Sequence, residues 1–214
     1  MTQLSPPEAW LQQTAARRSP DLRQERAVRT REQILFAAAE LFAQAGFQKT
    51  SIKDVADRAG VTKGAIFFHY PTKEILATAV VEAHYSRWPD LLARAQAQGL
   101  SPLDVAFEVL DQAAVAFRDD LVVRAGARLQ IERSLIDAPL PRPYEGWTDV
   151  LATLLRDARD SGELRPGTDP DAAARCLVAS FFGTQHISDT LSQRADLLER
   201  WADMRELLAL SLRP

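Results

Sequence analysis

The 214 residues carry 46% hydrophobic side chains, a formal charge of −3 and a single cysteine. That composition excludes a disordered or low-complexity chain and allows one or two globular units with a sizeable core. There is no run of eighteen apolar residues and no signal peptide pattern, and Cys176 has no internal disulfide partner, so a cytoplasmic, reducing compartment with no membrane partner is expected.

The charge is unevenly spread. Residues 1–80 hold 11 basic and 8 acidic side chains, which leaves 15 and 21 for the remainder, so a head of +3 precedes a body of −6. All four lysines, Lys49, Lys53, Lys63 and Lys73, fall within one 25-residue window. A basic patch confined to one short stretch is the footprint of a small nucleic-acid-reading unit on an acidic partner unit.

Residues 1–25 combine Pro6, Pro7 and Pro20 with Arg17, Arg18 and Arg23 and show no sustained apolar face. They read as a flexible arm, either following a DNA backbone or simply solvated. From Arg29 to Ala45, the residues Ile34, Leu35, Ala38, Leu41 and Phe42 recur at helical spacing, and Gly46 closes the segment.

Ser51 with Asp54 makes an N-terminal capping pattern for a short helix carrying Ile52, Val55, Ala56 and Ala59. Gly60 ends it, Val61 plugs the angle, and Thr62 caps a second helix whose first turn is Lys63, Gly64 and Ala65. Backbone N–H groups, the helix dipole and a lysine there favour phosphate. Ile66 anchors this helix inward, while Phe67, Phe68, His69 and Tyr70 are too many aromatics for one face, so some must point outward. The unit reads as a DNA-binding helix-turn-helix; an ordinary helix pair in a bundle is the alternative. Its candidate DNA contacts are Thr50, Ser51, Lys53, Thr62, Lys63, Gly64, Ala65, Phe68, His69, Tyr70 and Lys73.

Thr72 opens the next helix, where Leu76 and Val80 face one way and Ala77, Val81, His84, Tyr85 and Trp88 another, as in a helix joining two packed units. About six more helices follow, broken near Gly99–Pro102, Arg118–Asp120, Pro139–Pro143, Gly162–Pro170 and Ser188–Ala195. The expected fold is all-α, with a three-helix head at 26–76 and a helical ligand-binding and dimerisation body at 77–214.

In the body, Val123, Gly126, Ala127, Gln130 and Ser134 share one helix face, which is either a cavity wall with one amide or close helix packing beside a surface glutamine. Tyr85 and Trp88 lie one turn apart, and Tyr144 and Trp147 follow the proline-rich break as a candidate cover. Ala172, Cys176, Ala179 and Gly183 form a ridge of small residues, and Leu197, Trp201, Met204, Leu208 and Leu212 an apolar stripe; each suits a dimer interface or internal core. His69, His84 and His186 lack metal-ligand spacing, and neither a phosphate loop nor a nucleophile elbow is present, so no metal, cofactor or catalysis is expected.

The stretch Arg26–Leu76, and above all Gly60-Val61-Thr62-Lys63-Gly64-Ala65, resembles the TetR family of dimeric transcriptional repressors. The family commonly has tyrosine in place of Phe67 and phenylalanine in place of Tyr70. Val123–Leu129, Pro139–Pro141 with Trp147, and Val178–Thr184 are similar to γ-butyrolactone receptors of antibiotic-producing actinomycetes, and His84–Pro89 with Phe117–Trp147 to the methylenomycin furan receptor branch, whose signals are alkylated hydroxymethyl-furan carboxylic acids. The resemblance implies a homodimer on a pseudo-palindromic double-stranded operator, released by a small diffusible signal. It places Trp147 in the signal pocket and extends the candidate set, Tyr85, Trp88, Gln130, Tyr144 and Trp147, to Phe181 and Thr184. A multidrug-sensing repressor, or a receptor-like protein that no longer takes its own hormone, remains the alternative.

Overall fold

The computed structural model describes residues 6–214, with side chains from Gln24 onward. Helix α1 (Pro6–Lys49) is interrupted at Gly46, whose φ of 81° is left-handed. The arm expected at 1–25 is therefore revised in part. Met1–Ser5 lie outside the described residues, but the backbone is helical from Pro6, because a proline pair in the first turn forfeits no intrahelical bond and Glu8–Arg18 is rich in alanine, glutamine and arginine.

The two short helices of the head form as the capping chemistry requires. At α2 (Ile52–Ala59) the Ser51 side chain accepts from Asp54 N–H while the Asp54 carboxylate accepts from Ser51 N–H, and Gly60 ends the helix at φ 66°. At α3 (Lys63–His69) the Thr62 hydroxyl accepts from Ala65 N–H. With α1 and α4 (Lys73–Tyr85) they enclose a core of Ile34, Phe42, Val55, Ile66, Tyr70, Leu76 and Val80.

The body comprises α5 (Trp88–Gln96), α6 (Pro102–Asp119), α7 (Leu121–Ile131), a 3-10 turn at Arg133–Leu135, α8 (Glu145–Asp160), α9 (Pro170–Ser192) and α10 (Leu197–Leu212). Among the described residues there is no strand, and no helix is long and apolar enough to cross a membrane. Phe107, Leu110, Phe117, Leu151, Leu155, Leu177, Phe181 and Trp201 form the centre of the body core. Asp111 accepts from Trp201 Nε1 at 2.6 Å and Arg205 Nε at 2.9 Å, which ties α10 to α6.

One helix belongs to both units: on α7, Val122, Ala125 and Leu129 sit in the head core and Val123 in the body core. Gly126 is where α4 crosses it, and a Cβ there would lie 2.3 Å from His84 Cβ. The α10 stripe of Leu197, Trp201, Met204, Leu208 and Leu212 turns inward and is core, which removes it as an interface. The outward residues of the last two helices are instead Cys176, Ala179, Gly183, Ile187 and Leu191 on α9 and Leu207 and Leu210 on α10.

Candidate functional site

On the head, Ser51, Lys53, Thr62, Lys63 and Gly64 are exposed together around the α2–α3 turn, with Ala65 and His69 half-buried beside them. Lys63 forms no ion pair among the described residues, whereas Lys53 Nζ is 2.6 Å from Asp57. Phe67 and Phe68 project from α3 at 48% and 80% exposure, so two aromatics face outward beside the basic turn, Phe68 edge-on to His69 at 5.1 Å.

Three expected contacts are corrected. Thr50 is buried and donates its hydroxyl to Gly46 O at 2.8 Å, closing the end of α1. Tyr70, the residue after α3, is fully buried; its hydroxyl donates to Arg31 O at 3.3 Å, and the Arg31 guanidinium lies over its ring. Lys73 Nζ donates inward to Phe47 O and Thr50 O at 3.1 and 3.3 Å and sits 4.1 Å from the Phe47 ring. All three hold the head together from within.

In the body, α4, α6, α7, α8, α9 and the Pro139–Pro143 segment enclose a cavity of about 260 Å³ lined in part by Tyr85, Gln130, Tyr144 and Trp147. A second, apolar recess of about 310 Å³ shares Tyr85 and Trp147 with it and adds Trp88, Pro89, Leu92 and Val109. The amide of Gln130 is anchored on one side only: Nε2 donates to the Tyr85 hydroxyl and to Pro141 O, each at 3.0 Å, while Oε1 is buried without a partner. The indole N–H groups of Trp88 and Trp147 are likewise buried and unpartnered. Buried polar atoms left open cost stability unless something else satisfies them.

Tyr144 lines the cavity where it meets the surface. It is 44% exposed, packs edge-on against Phe182 at 4.7 Å, and has a left-handed φ of 69°, a conformation that side chains other than glycine, asparagine or aspartate rarely adopt. On α9 the lining residues are Phe182, Gln185 and His186. Phe181 and Thr184, expected in the pocket, are buried off its wall; Phe181 stacks behind Trp147 at 6.3 Å and backs it. Ser134, on the expected small-residue face, is exposed beyond the end of α7.

Among the lining residues outside the expected set are His84 and Gln185, which could have been found from their neighbours. His84 precedes Tyr85 and packs edge-on against Tyr85, Trp88 and Phe117. Its Nδ1 lies 3.0 Å from Val123 O, so that nitrogen carries the proton, and burial pushes the imidazole pKa down to about 4. Gln185, with its carboxamide oxygen turned to Arg194, accepts from Nε and Nη2 at 3.0 Å. That orientation directs its NH₂ away from the guanidinium. Among the described residues, no group of acids, histidines or cysteines has the arrangement of a metal site.

Comparison with known proteins agrees with both halves. Residues 34–80 match the model of bacterial regulatory proteins of the tetR family, and residues 100–214 the tetracyclin repressor-like C-terminal domain. The chain belongs to the TetR family of bacterial regulators. It is 37% identical to the A-factor receptor protein of Streptomyces griseus over 85% of this chain, and the match spans 63% of that receptor's length. A solved structure described as the molecular basis for control of antibiotic production by bacterial hormones superposes with a TM-score of 0.83 at 57% identity, covering 87% of this chain and 99% of the other. A γ-butyrolactone receptor structure, an ArpA-like protein, superposes with a TM-score of 0.76 at 31% identity over 88% and 90% of the two chains.

Proposed function

We propose that the protein is a signal-released transcriptional repressor without catalytic activity. As a homodimer it binds a pseudo-palindromic operator through the heads at 26–76, and it leaves DNA when a γ-butyrolactone, butenolide or alkylated hydroxymethyl-furan carboxylic acid fills the body at 77–214. The observation that carries this reading is the cavity itself: a space of about 260 Å³ lined by Tyr85, Gln130, Tyr144 and Trp147, beside an apolar recess that shares Tyr85 and Trp147 with it. A small amphiphile with a polar end and an alkyl chain fits that division. Relatives named as an A-factor receptor and a γ-butyrolactone receptor, and a similar structure described as the basis for control of antibiotic production by bacterial hormones, support the same class. The exposed α2–α3 turn supports the DNA half, with Ser51, Thr62, Lys63, Gly64 and the outward Phe68 as its proposed contacts.

Tyr85, Gln130 and Tyr144 are proposed to hold the polar end of the signal, with Trp147 against its ring or chain. Replacing Gln130 by alanine or Tyr85 by phenylalanine removes one hydrogen bond of about 1.5–3 kcal/mol to a charged group, which raises the signal concentration needed for release at least roughly tenfold. DNA selected from a random pool with the wild-type protein supplies the operator, and release is followed by fluorescence anisotropy with furan carboxylic acids and γ-butyrolactones. Variants that respond like wild type would put the signal elsewhere.

A further inference from the structure

The cavity helix α7 is fastened to the head by two side chains that flank the cavity glutamine. Arg128 Nη1 donates to Ala43 O and Gln44 O, in the last turn of α1 before its break, at 3.1 Å each. Glu132 Oε2 accepts from Phe47 N–H at 2.6 Å, just past the break. The two side chains also pair with each other, Arg128 Nε to Glu132 Oε1 at 3.0 Å.

The chain between those contacts is shaped to receive them. Gly46 is left-handed at φ 81°, a conformation that favours glycine, and a Cβ there would stand 2.4 Å from Glu132 Oε1 and so displace the carboxylate from its place. From Phe47 the same segment passes to the DNA-facing part of the head: Lys73 binds Phe47 O and Thr50 O, and Ser51 caps α2.

We propose that Arg128 and Glu132 are the positioning residues that transmit cavity occupancy to the head, an inference that rests on the cavity being the signal site. Gln130 lies between them in sequence and lines the cavity. The other cavity helix reaching the head, α4, is locked to α7 by the close crossing of His84 on Gly126 and by the His84–Val123 hydrogen bond. The two helices therefore shift as one wall, and beside the apolar packing of Val122, Ala125 and Leu129 in the head core its polar grip on α1 is the Arg128–Glu132 clasp. A molecule that moves α7 must then either carry the end of α1 with it or break the three polar contacts that cross to α1. Coupling of this kind is reciprocal, so the same clasp makes DNA weaken signal binding and signal weaken DNA binding by one common factor.

The test uses full-length dimer carrying Arg128→Met, which keeps the apolar stem without the donors, and Glu132→Gln, which keeps the shape without the charge. Two probes are used, an alkylated hydroxymethyl-furan carboxylic acid and an alkyl γ-butyrolactone. Their affinity is measured with and without saturating selected DNA by quenching of the cavity tryptophans. The ratio of the two affinities is expected to fall towards one in both variants, at least fivefold below wild type, while affinity for DNA alone and for probe alone stays within about threefold. An unchanged ratio overturns the proposal. So does loss of DNA binding without probe in variants whose helix content and dimer are intact, because the pair would then only support the head.

A second arm needs no probe. Ala127→Phe pushes on α7 from the cavity side and is expected to weaken DNA binding about tenfold alone but less than threefold when combined with Arg128→Met. Strict additivity of the two changes overturns the linkage. If neither probe releases wild type from DNA, the signal reading of the cavity fails while this arm still decides the role of Arg128.

Discussion

His84 shows how much a single neighbour changes what a side chain can do. Its lone place in the sequence suggested neither a ligand nor a switch, yet in the structure it is nearly fully buried, holds α4 to α7, and stays neutral with a pKa near 4. In the unfolded chain the same imidazole titrates near 6.5. Between those values the unfolded state binds a proton that the folded state refuses, so stability rises with pH across the window and is lost as pH falls from about 6.5 to 4. The full difference is about 3 kcal/mol. Urea unfolding at a series of pH values is expected to show this decline in wild type and a flatter profile over that window in His84→Leu; equal slopes would assign the decline to other groups. The same scale explains why some head residues were misplaced. Residue type identified Thr50, Tyr70 and Lys73 as polar or amphipathic candidates beside a DNA-binding turn, but not their direction. Tyr70 sits just past the end of α3, where the chain leaves helical geometry at φ −138°, and that places its ring under Arg31 instead of toward a groove.

At the scale of elements, most boundaries were legible because the punctuation is chemical: the Ser51–Asp54 box, the glycines at 46 and 60, and prolines opening α6 and α9 all act where they stand in the chain. Which face of each helix turns inward was less legible. On α9 the pocket takes Phe182, Gln185 and His186 instead of Phe181 and Thr184, a rotation of one residue that periodicity alone does not settle on a helix with apolar residues on several faces. The same helix turns Cys176, Ala179, Gly183, Ile187 and Leu191 outward, and α10 turns Leu207 and Leu210 outward at 65% and 64% exposure. An apolar strip of this kind beside a small-residue ridge suits the close approach of a second copy. Nothing lies within 4 Å of a Cβ built at Gly183, so Gly183→Phe leaves the isolated subunit undisturbed and obstructs only the partner. Light scattering is expected to show monomer with normal helix content and no specific operator complex. A fully dimeric Gly183→Phe protein would move the interface off this ridge.

For the whole molecule the proposed function asks a chain of charge −3 to bind a polyanion. It does so by concentrating cation on one short segment and then using part of it internally. Lys73 is tied to two carbonyls and Lys53 to Asp57, which leaves Lys49, at the end of α1, and Lys63, at the start of the exposed α3, free of any ion pair among the described residues. Each phosphate neutralised releases counterions, which steepens the fall of log affinity with log salt by about 0.9. A homodimer presents two copies of Lys63 to heads that must lie roughly 34 Å apart, one turn of duplex, to enter successive grooves. Lys63→Ala is therefore expected to reduce the salt slope of operator binding by about 1.8, twice the single-contact value, and to weaken binding to all DNA sequences alike. Titrations between roughly 50 and 200 mM salt measure this directly. A reduction near 0.9 would mean that only one head of the pair reaches phosphate through this lysine. An unchanged slope would take Lys63 off the DNA and leave the outward Phe67 and Phe68, with the backbone N–H groups of the α3 first turn, as the contacts that hold the head in the groove.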